Sequence, residues 1–381
     1  MRLTVRALNR ATLARQLLLA RAPLGVEDAL RRVVVLQAQE PASPYLALWN
    51  RVDGFAAADL DAAVTGYRAV KSTLVRITLH LVHADHYGAV RTAMEPSLRG
   101  ARLRDARFTR SGLTPEDADA LLPDLLAFAE QPRTTAEFAA WLEARAGFPL
   151  DPTAWRMLRQ YSPLWHAPGA APWSYVTRPA FVAARPRPVL GGQEAADAAL
   201  VTLVRRYLAG FGPASVADAA QFALVQRSRA RAAMKALADE VEEFEGPDGT
   251  VLYDLPGAPR PDEDVPAPPR LMAMWDSVLL AHADRTRVLP AAYRKHVTRV
   301  NGDVLPTLLV DGEVAGVWRV VDGRVEAGAF QPLPERAWAG LAEEAARLVA
   351  FLADREPGVY GRYGHWWDKG IPVTESRVLG A

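Results

Sequence analysis

The sequence contains no cysteine. That absence excludes disulfides, thiolate-held metals and thiol nucleophiles together, so a metal would have to be held by histidines and carboxylates. Lysine is scarce: Lys71, Lys235, Lys295 and Lys369 are the four lysines among 45 basic residues. Such arginine use reflects codon bias, and it also suits bidentate phosphate contacts. No stretch approaches 18 consecutive apolar residues, and the N-terminus carries arginines and an asparagine where a signal peptide needs an apolar centre. A cytoplasmic protein without a membrane partner is expected. Phosphate-binding glycine loops, dinucleotide fingerprints and a Gly-x-Ser-x-Gly elbow are missing as well, and no cofactor is expected.

What is present is core material. Of 381 residues, half are hydrophobic and 23% charged, the composition of an ordinary globular protein, and the length predicts two to four domains. The net charge of +1 hides an uneven distribution. Residues 1–32 hold Arg2, Arg6, Arg10, Arg15, Arg21, Arg31 and Arg32 against Glu27 and Asp28; residues 91–110 add Arg91, Arg99, Arg102, Arg104, Arg107 and Arg110 against Glu95 and Asp105. Residues 239–264 are the reverse, with ten acids against Arg260. A basic N-terminal third attracts polyanions, nucleic acid foremost, although solvated helix faces produce similar clusters.

Helical spacing runs through residues 4–20 and 25–36, the second ending at Val33-Val34-Val35-Leu36-Gln37-Ala38-Gln39-Glu40-Pro41. Further helical patterns cover 45–49 and 56–65, and Val70 to Val82 then alternate as a strand or hairpin does. Helices followed by a short hairpin suggest a winged helix. Residues 114–130 and 134–145 open on Thr114-Pro115-Glu116 and Thr134-Thr135, good helix starts, and residues 150–176 could supply return strands. Residues 194–210, 213–225 and 228–240 form a third helical set, with 251–253 as its strand. Six prolines between Pro256 and Pro269, mixed with acids, read as an extended, solvated linker. Beyond it, apolar runs separated by Asp311-Gly312 and Asp322-Gly323 predict successive hairpins, capped by a helix over 335–354.

Two constellations could carry chemistry. If the chain is extended at Gln37 and Gln39, the two amides face one way and could hold a water or a polar ligand without charge; if it is a helix end, they are ordinary exposed glutamines. His80, His83 and His86 offer ligands at intervals of three, but His80 and His83 face opposite sides of a strand and no HExxH pattern supports a metal. A loop touching phosphate or capping a helix suits them better. Gly361 to Trp367 mixes aromatic and basic residues, as a base-stacking surface or a packed core would.

Taken in order, Leu36-Gln37-Ala38-Gln39-Glu40-Pro41, Arg76-Ile77-Thr78-Leu79-His80-Leu81-Val82, Gly212 to Asp218, Leu279 to Arg285 and Asn301 to Thr307 resemble the AlkZ/YcaQ-type winged-helix DNA glycosylases across nearly the whole chain. The Gln-x-Gln pair is similar to the AlkZ branch, since the other branch carries Asp at the second position. The resemblance implies an α+β, mainly helical fold, with three tandem winged helices (residues 1–100, 101–192 and 193–258) around a concave basic channel. A Pro-rich acidic linker (259–270) and a small β-barrel-like unit with a helix (271–381) complete it. It implies that Gln37 and Gln39 are catalytic and that a hairpin of the C-terminal half, here placed in 307–326, contacts DNA. The partner it implies is double-stranded DNA carrying N7-alkylguanine adducts or interstrand crosslinks, with Arg76, His80, Arg99, Arg102, Arg285 and Arg319 as candidate contacts and a monomeric enzyme acting. Members of this branch protect producers of bifunctional alkylating antibiotics. A winged-helix regulator without catalysis is the alternative.

Overall fold

The computed structural model describes residues 1–170, 172–176, 178–188, 190 and 192–380. The N-terminal segment runs α1 (Val5–Arg15), α2 (Val26–Val33), β1 (Leu36–Gln37), α3 (Ser43–Trp49), α4 (Ala57–Thr65), β2 (Ala69–Thr73), β3 (Leu79–His83) and α5 (Ala84–Leu103). A second helical stretch holds α6 (Ala106–Thr109), α7 (Pro115–Phe128), β4 (Arg133–Thr134), α8 (Thr135–Ala146), α9 (Pro152–Tyr161), β5 (Leu164–His166) and β6 (Ala180–Ala183). It is followed by α10 (Gly192–Phe211), α11 (Val216–Ala223), α12 (Arg227–Ala236), β7 (Glu242–Glu245) and β8 (Val251–Asp254). The C-terminal part contains β9 (Arg270–Leu271), α13 (Arg294–Val297), β10 (Thr307–Val310), β11 (Glu313–Val321), β12 (Arg324–Ala329), α14 (Glu335–Ala353), α15 (His365–Asp368) and β13 (Glu375–Leu379). The fold is α+β and mainly helical, as expected.

Helix α1 is a buried helix rather than a solvated basic face. Thr4 caps it by accepting from the Ala7 amide, and Leu8, Asn9, Arg10, Ala11, Thr12, Leu13 and Arg15 are all buried. Its cations are matched from far along the chain. Arg15 donates to both carboxylate oxygens of Asp254 at 2.6 and 2.7 Å, and Arg10 reaches Asp311 at 2.5 Å and the Val265 carbonyl at 2.6 Å. Arg2 pairs with Glu245, Arg6 with Asp311 and Arg21 with Glu344. The cations of α1 and its flanks are therefore paired within the molecule, and the charge count of residues 1–32 overstates the basic surface they present. A long side chain is buried with its charge only where a carboxylate or carbonyls meet it.

The same contacts change the reading of the proline segment. It is irregular, with turns closed by the Ala258 and Val265 amides, and it is strapped across α1 rather than free: Arg15 donates to the Pro259 carbonyl, Arg6 to that of Glu263 and Arg10 to that of Val265. The core clusters also cross the expected unit boundaries, because Leu13 to Leu81 share one apolar cluster with Leu271 to Leu379.

The α5 helix had no counterpart in the periodicity. Pro96 lies inside it and withholds one backbone donor, so a 20-residue helix reads as broken in the sequence. It packs on α10, and His83 caps it by accepting from the Asp85 amide.

The C-terminal strands form an open antiparallel sheet in the order β13-β12-β11-β10-β9. The expected barrel is not formed: β13 and β9 are its two edges, and α14 covers one face through Trp338, Leu341, Ala345 and Leu348. Both Asp-Gly turns adopt positive φ at their two central residues, Asp311 49° and Gly312 83°, Asp322 48° and Gly323 72°, which is the hairpin geometry that pair of residues favours. The two turns differ in setting. Asp311-Gly312 is clamped on α1, where Asn9 donates to the Gly312 carbonyl and Arg10 to that of Asp311. Val321 to Arg324 are exposed.

Candidate functional site

The stretch around Gln37 is a short strand and not a helix end. In the sheet β1-β3-β2, Leu36 pairs with Leu81 and Gln37 with His80. Leu36, Ala38 and Leu81 are buried in the apolar cluster, so alternation turns Gln37 and Gln39 to the opposite face. The two amides are held differently. Gln37 is 4% exposed; its Oε1 accepts from Arg76 Nη2 at 2.8 Å and its Nε2 donates to Thr78 Oγ1 at 3.1 Å. Thr78 Oγ1 in turn donates to the Val75 carbonyl, so it can only accept from Gln37. The amide orientation is thereby fixed, with one oxygen lone pair and one N–H left over. Gln39 is exposed and lies past the strand end, where its Oε1 accepts from the Leu79 amide at 3.1 Å. It extends the backbone ladder by one step and leaves its NH2 group free of partners among the described residues.

Arg76 sits in a strained connection. Arg76 and Ile77 both have left-handed backbone, φ 53° and 57°, between β2 and β3, and Val34, leading into β1, has φ 72°. Branched residues there cost about 1–3 kcal/mol each, and such strain collects at functional sites. The turn is tied by Leu74 N to the Thr78 carbonyl and by Arg102 Nη2 to the Ile77 carbonyl at 3.2 Å. Burial and the nearby Arg285 charge bring the Arg76 guanidinium down to about 10.

His80 is 0% exposed. It therefore does not reach a DNA backbone, which corrects its place among the expected contacts. Its Nδ1 lies 3.0 Å from the Thr78 carbonyl and its Nε2 2.9 Å from Arg76 Nη2, so a neutral ring with the proton on Nδ1 donates to the carbonyl and accepts from Arg76. Burial first, and Arg76 second, hold it well below the usual histidine range. Among the described residues no three metal-ligating side chains converge.

The remaining expected contacts divide. Arg102 and Arg285 have no carboxylate partner among the described residues and stand close to Arg76, and burial lowers both guanidinium pKa values. Arg99 is instead gripped by both oxygens of Asp119 and by Tyr161 OH, which raises it and cancels its charge. Arg319 lies on the other side of the site. It bonds Glu326 at 2.7 Å and stacks over Trp367 at 4.7 Å, beside a cleft of about 300 Å³ lined by Asp322, Tyr360, Tyr363 and Trp367.

Glu40 links that cleft to the glutamines. Its carboxylate accepts from Arg362 at 2.6 Å and from Tyr363 OH at 3.3 Å; burial raises its pKa and Arg362 opposes the rise. It bonds neither glutamine and holds the 361–363 segment. Thr78 and Tyr363 lie in the Arg76–Val82 and Gly361–Trp367 stretches, but neither is among the residues expected at the site. Thr78 was findable, since it alternates with His80 opposite Gln37; Tyr363, 323 residues from Glu40, was not.

The family described as "DNA glycosylase AlkZ-like" matches residues 30–351, and the chain belongs to that family of DNA glycosylases. It is 25% identical over 359 residues to the "Interstrand DNA cross-link repair glycosylase" of Streptomyces sahachiroi, covering 88% of this chain and 93% of that protein. The solved structure of the Streptomyces sahachiroi DNA glycosylase AlkZ superposes with a TM-score of 0.76 at 22% identity, covering 92% of this chain and 98% of that one.

Proposed function

We propose that the protein is a monofunctional DNA glycosylase that hydrolyses the N-glycosidic bond of N7-alkylated guanine, including interstrand crosslinks, in DNA repair and in self-resistance to a bifunctional alkylating antibiotic. The observation that carries this reading is the Gln37 amide, locked at both ends beside an exposed Gln39, with no carboxylate bonded to either among the described residues.

An N7-alkylguanine already bears positive charge, so it departs as a neutral base and needs no strong general acid. What remains is an oxocarbenium-like sugar and the water that captures it. The free lone pair of Gln37 Oε1 can orient that water and offer partial negative charge, without the desolvation penalty of a carboxylate among phosphates. Gln39 presents a donor to the same region. No lysine lies in the motif, so the product is an abasic site rather than a lyase product. Arg102, Arg285 and Arg319 flank the two amides as phosphate contacts, with Arg99 and Arg76 behind them. The exposed β11–β12 turn is the hairpin that enters the DNA, since the β10–β11 turn is occupied by α1. The enzyme acts as a cytoplasmic monomer.

Incubation with duplex carrying N7-methylguanine or an N7-linked crosslink should release base, and Gln37→Ala with Gln39→Ala should abolish release. Unchanged activity in that double variant would refute the site. Tight sequence-selective binding without base release would point to a regulator instead.

A further inference from the structure

Arg76 looks like a phosphate ligand in the sequence, but its hydrogen bonds point inward. Its Nη2 has two protons and both are used: one goes to Gln37 Oε1 at 2.8 Å and the other to His80 Nε2 at 2.9 Å. The chain pays for this arrangement with two consecutive left-handed residues, Arg76 and Ile77. A cation that served only to meet a phosphate would not need its turn bent back over β1.

We infer that Arg76 is a positioning residue for the base-release reaction, clamping the Gln37 amide between itself and Thr78 so that its remaining oxygen lone pair has one direction. This rests on the proposed glycosylase reading. Without Arg76 the amide can rotate by half a turn and present N–H where the water needs an acceptor. Thr78 alone is a weak guard, because its hydroxyl can give up the 3.3 Å bond to the Val75 carbonyl and turn to donate to the rotated amide. His80 completes the clamp from below: as a buried neutral acceptor, wholly inside the protein, it fixes the second proton of Nη2 and so the plane of the guanidinium. The chain of contacts runs from the Thr78 carbonyl through His80 and Arg76 to Gln37 and back to the Thr78 hydroxyl, a closed ring of hydrogen bonds.

Positioning and phosphate binding leave different traces. A displaced catalytic group costs rate, about 10²-fold for an error of 1 Å, while a lost phosphate contact weakens binding and reduces the salt slope by about one. The experiment measures single-turnover base release from N7-methylguanine duplex at saturating protein, and duplex affinity by fluorescence anisotropy at several salt concentrations, for Arg76→Gln, Arg76→Lys and Thr78→Val. Arg76→Gln should lose 10- to 100-fold in rate with affinity within about twofold and the same salt slope. Arg76→Lys should recover a good part of the rate, since an ammonium can still donate to Gln37 and His80. Thr78→Val, at the other end of the amide, should also slow release without weakening binding, and it reports on the clamp even if Arg76→Gln fails to fold. Weakened binding with a flatter salt slope and an unchanged saturating rate would overturn the inference, as would full activity in both Arg76→Gln and Thr78→Val. Absence of base release by the unaltered protein would refute the glycosylase reading itself, a separate outcome.

Discussion

Arg15 and Asp254, 239 residues apart, close a two-pronged ion pair with both side chains wholly shut off from water. Asp254 also takes Arg260 at 2.5 Å, so one carboxylate anchors α1, the end of β8 and the proline strap together.

Removing that carboxylate strands Arg15 in the interior with only the Leu208 and Pro259 carbonyls, while Arg260, a quarter exposed, keeps Glu242 at 3.1 Å. Asp254→Ala is expected to cost about 3–5 kcal/mol, the usual cost of stranding a buried charge. Replacing both members, Arg15→Met with Asp254→Leu, should return much of it. Urea unfolding followed by circular dichroism measures both, and an Asp254→Ala protein as stable as its parent would contradict the anchoring role.

The two Asp-Gly turns should respond differently to the same change. A Cβ at Gly323 meets nothing within 4 Å, whereas one at Gly312 would lie 2.5 Å from Asn9 Oδ1 and 2.6 Å from Leu13 Cδ1. Gly323→Ala should cost about 1 kcal/mol for the left-handed backbone, and Gly312→Ala a further 1–3 kcal/mol for the collision. Conversely, Val321→Glu with Arg324→Glu at the exposed tip should weaken crosslinked-duplex binding with little change in melting temperature. Loss of stability without loss of binding in that pair would place the DNA contact elsewhere.

Acid should destabilise the fold well before the carboxylates titrate. His80, His166 and His282 are buried and held below the ordinary histidine value, His282 to about 3, by desolvation first and then by neighbouring cations. As pH falls through about 6.5 the unfolded chain takes up protons that the native protein refuses, so stability present above that pH is lost below it. Each such histidine contributes a loss of about 1.4 kcal/mol at one unit below 6.5. Melting temperatures at pH 7.5 and 5.5 should differ clearly, and a flat profile would show that these rings are protonated inside the fold.

Lys71 is 3% exposed, over the ring of Tyr175 at 4.9 Å, and makes no ion pair among the described residues. Burial brings it down to about 7. The unfolded lysine stays protonated to about 10.5, so stability should rise with pH between about 7 and 10.5. Lys71→Met should remove that rise and stabilise the protein at pH 7 by roughly 2–4 kcal/mol. A destabilised variant would mean that the ammonium is needed in place.

Much of this architecture was readable from the sequence because local physics dictated it. The capping boxes at Thr114 and Thr134, the alternation of residues 70–82 and the Asp-Gly turns each declare their element within a few residues. The Gln-x-Gln stretch announced a candidate site, and its extended reading at Leu36 and Gln37 is the one the chain adopts. What could not be read was pairing at a distance. Nothing near Arg10 or Arg15 marks them as buried, because their partners lie at Asp311 and Asp254, and isolated arginines read as surface charge. Closure of the C-terminal strands failed for a related reason: strand patterns specify faces, not whether the first and last edges meet.

The α1 helix also has a bearing on how the molecule is made. It leaves the ribosome long before the groups that satisfy Arg10, Arg15 and Asn9, which belong to residues 254, 265, 287, 311 and 312. A nascent chain that has not reached them holds a helix with charged side chains and nowhere to bury them. Helix α1 is thus among the last elements to be locked in place, and a chain cut short before residue 312 lacks groups that its buried side chains need.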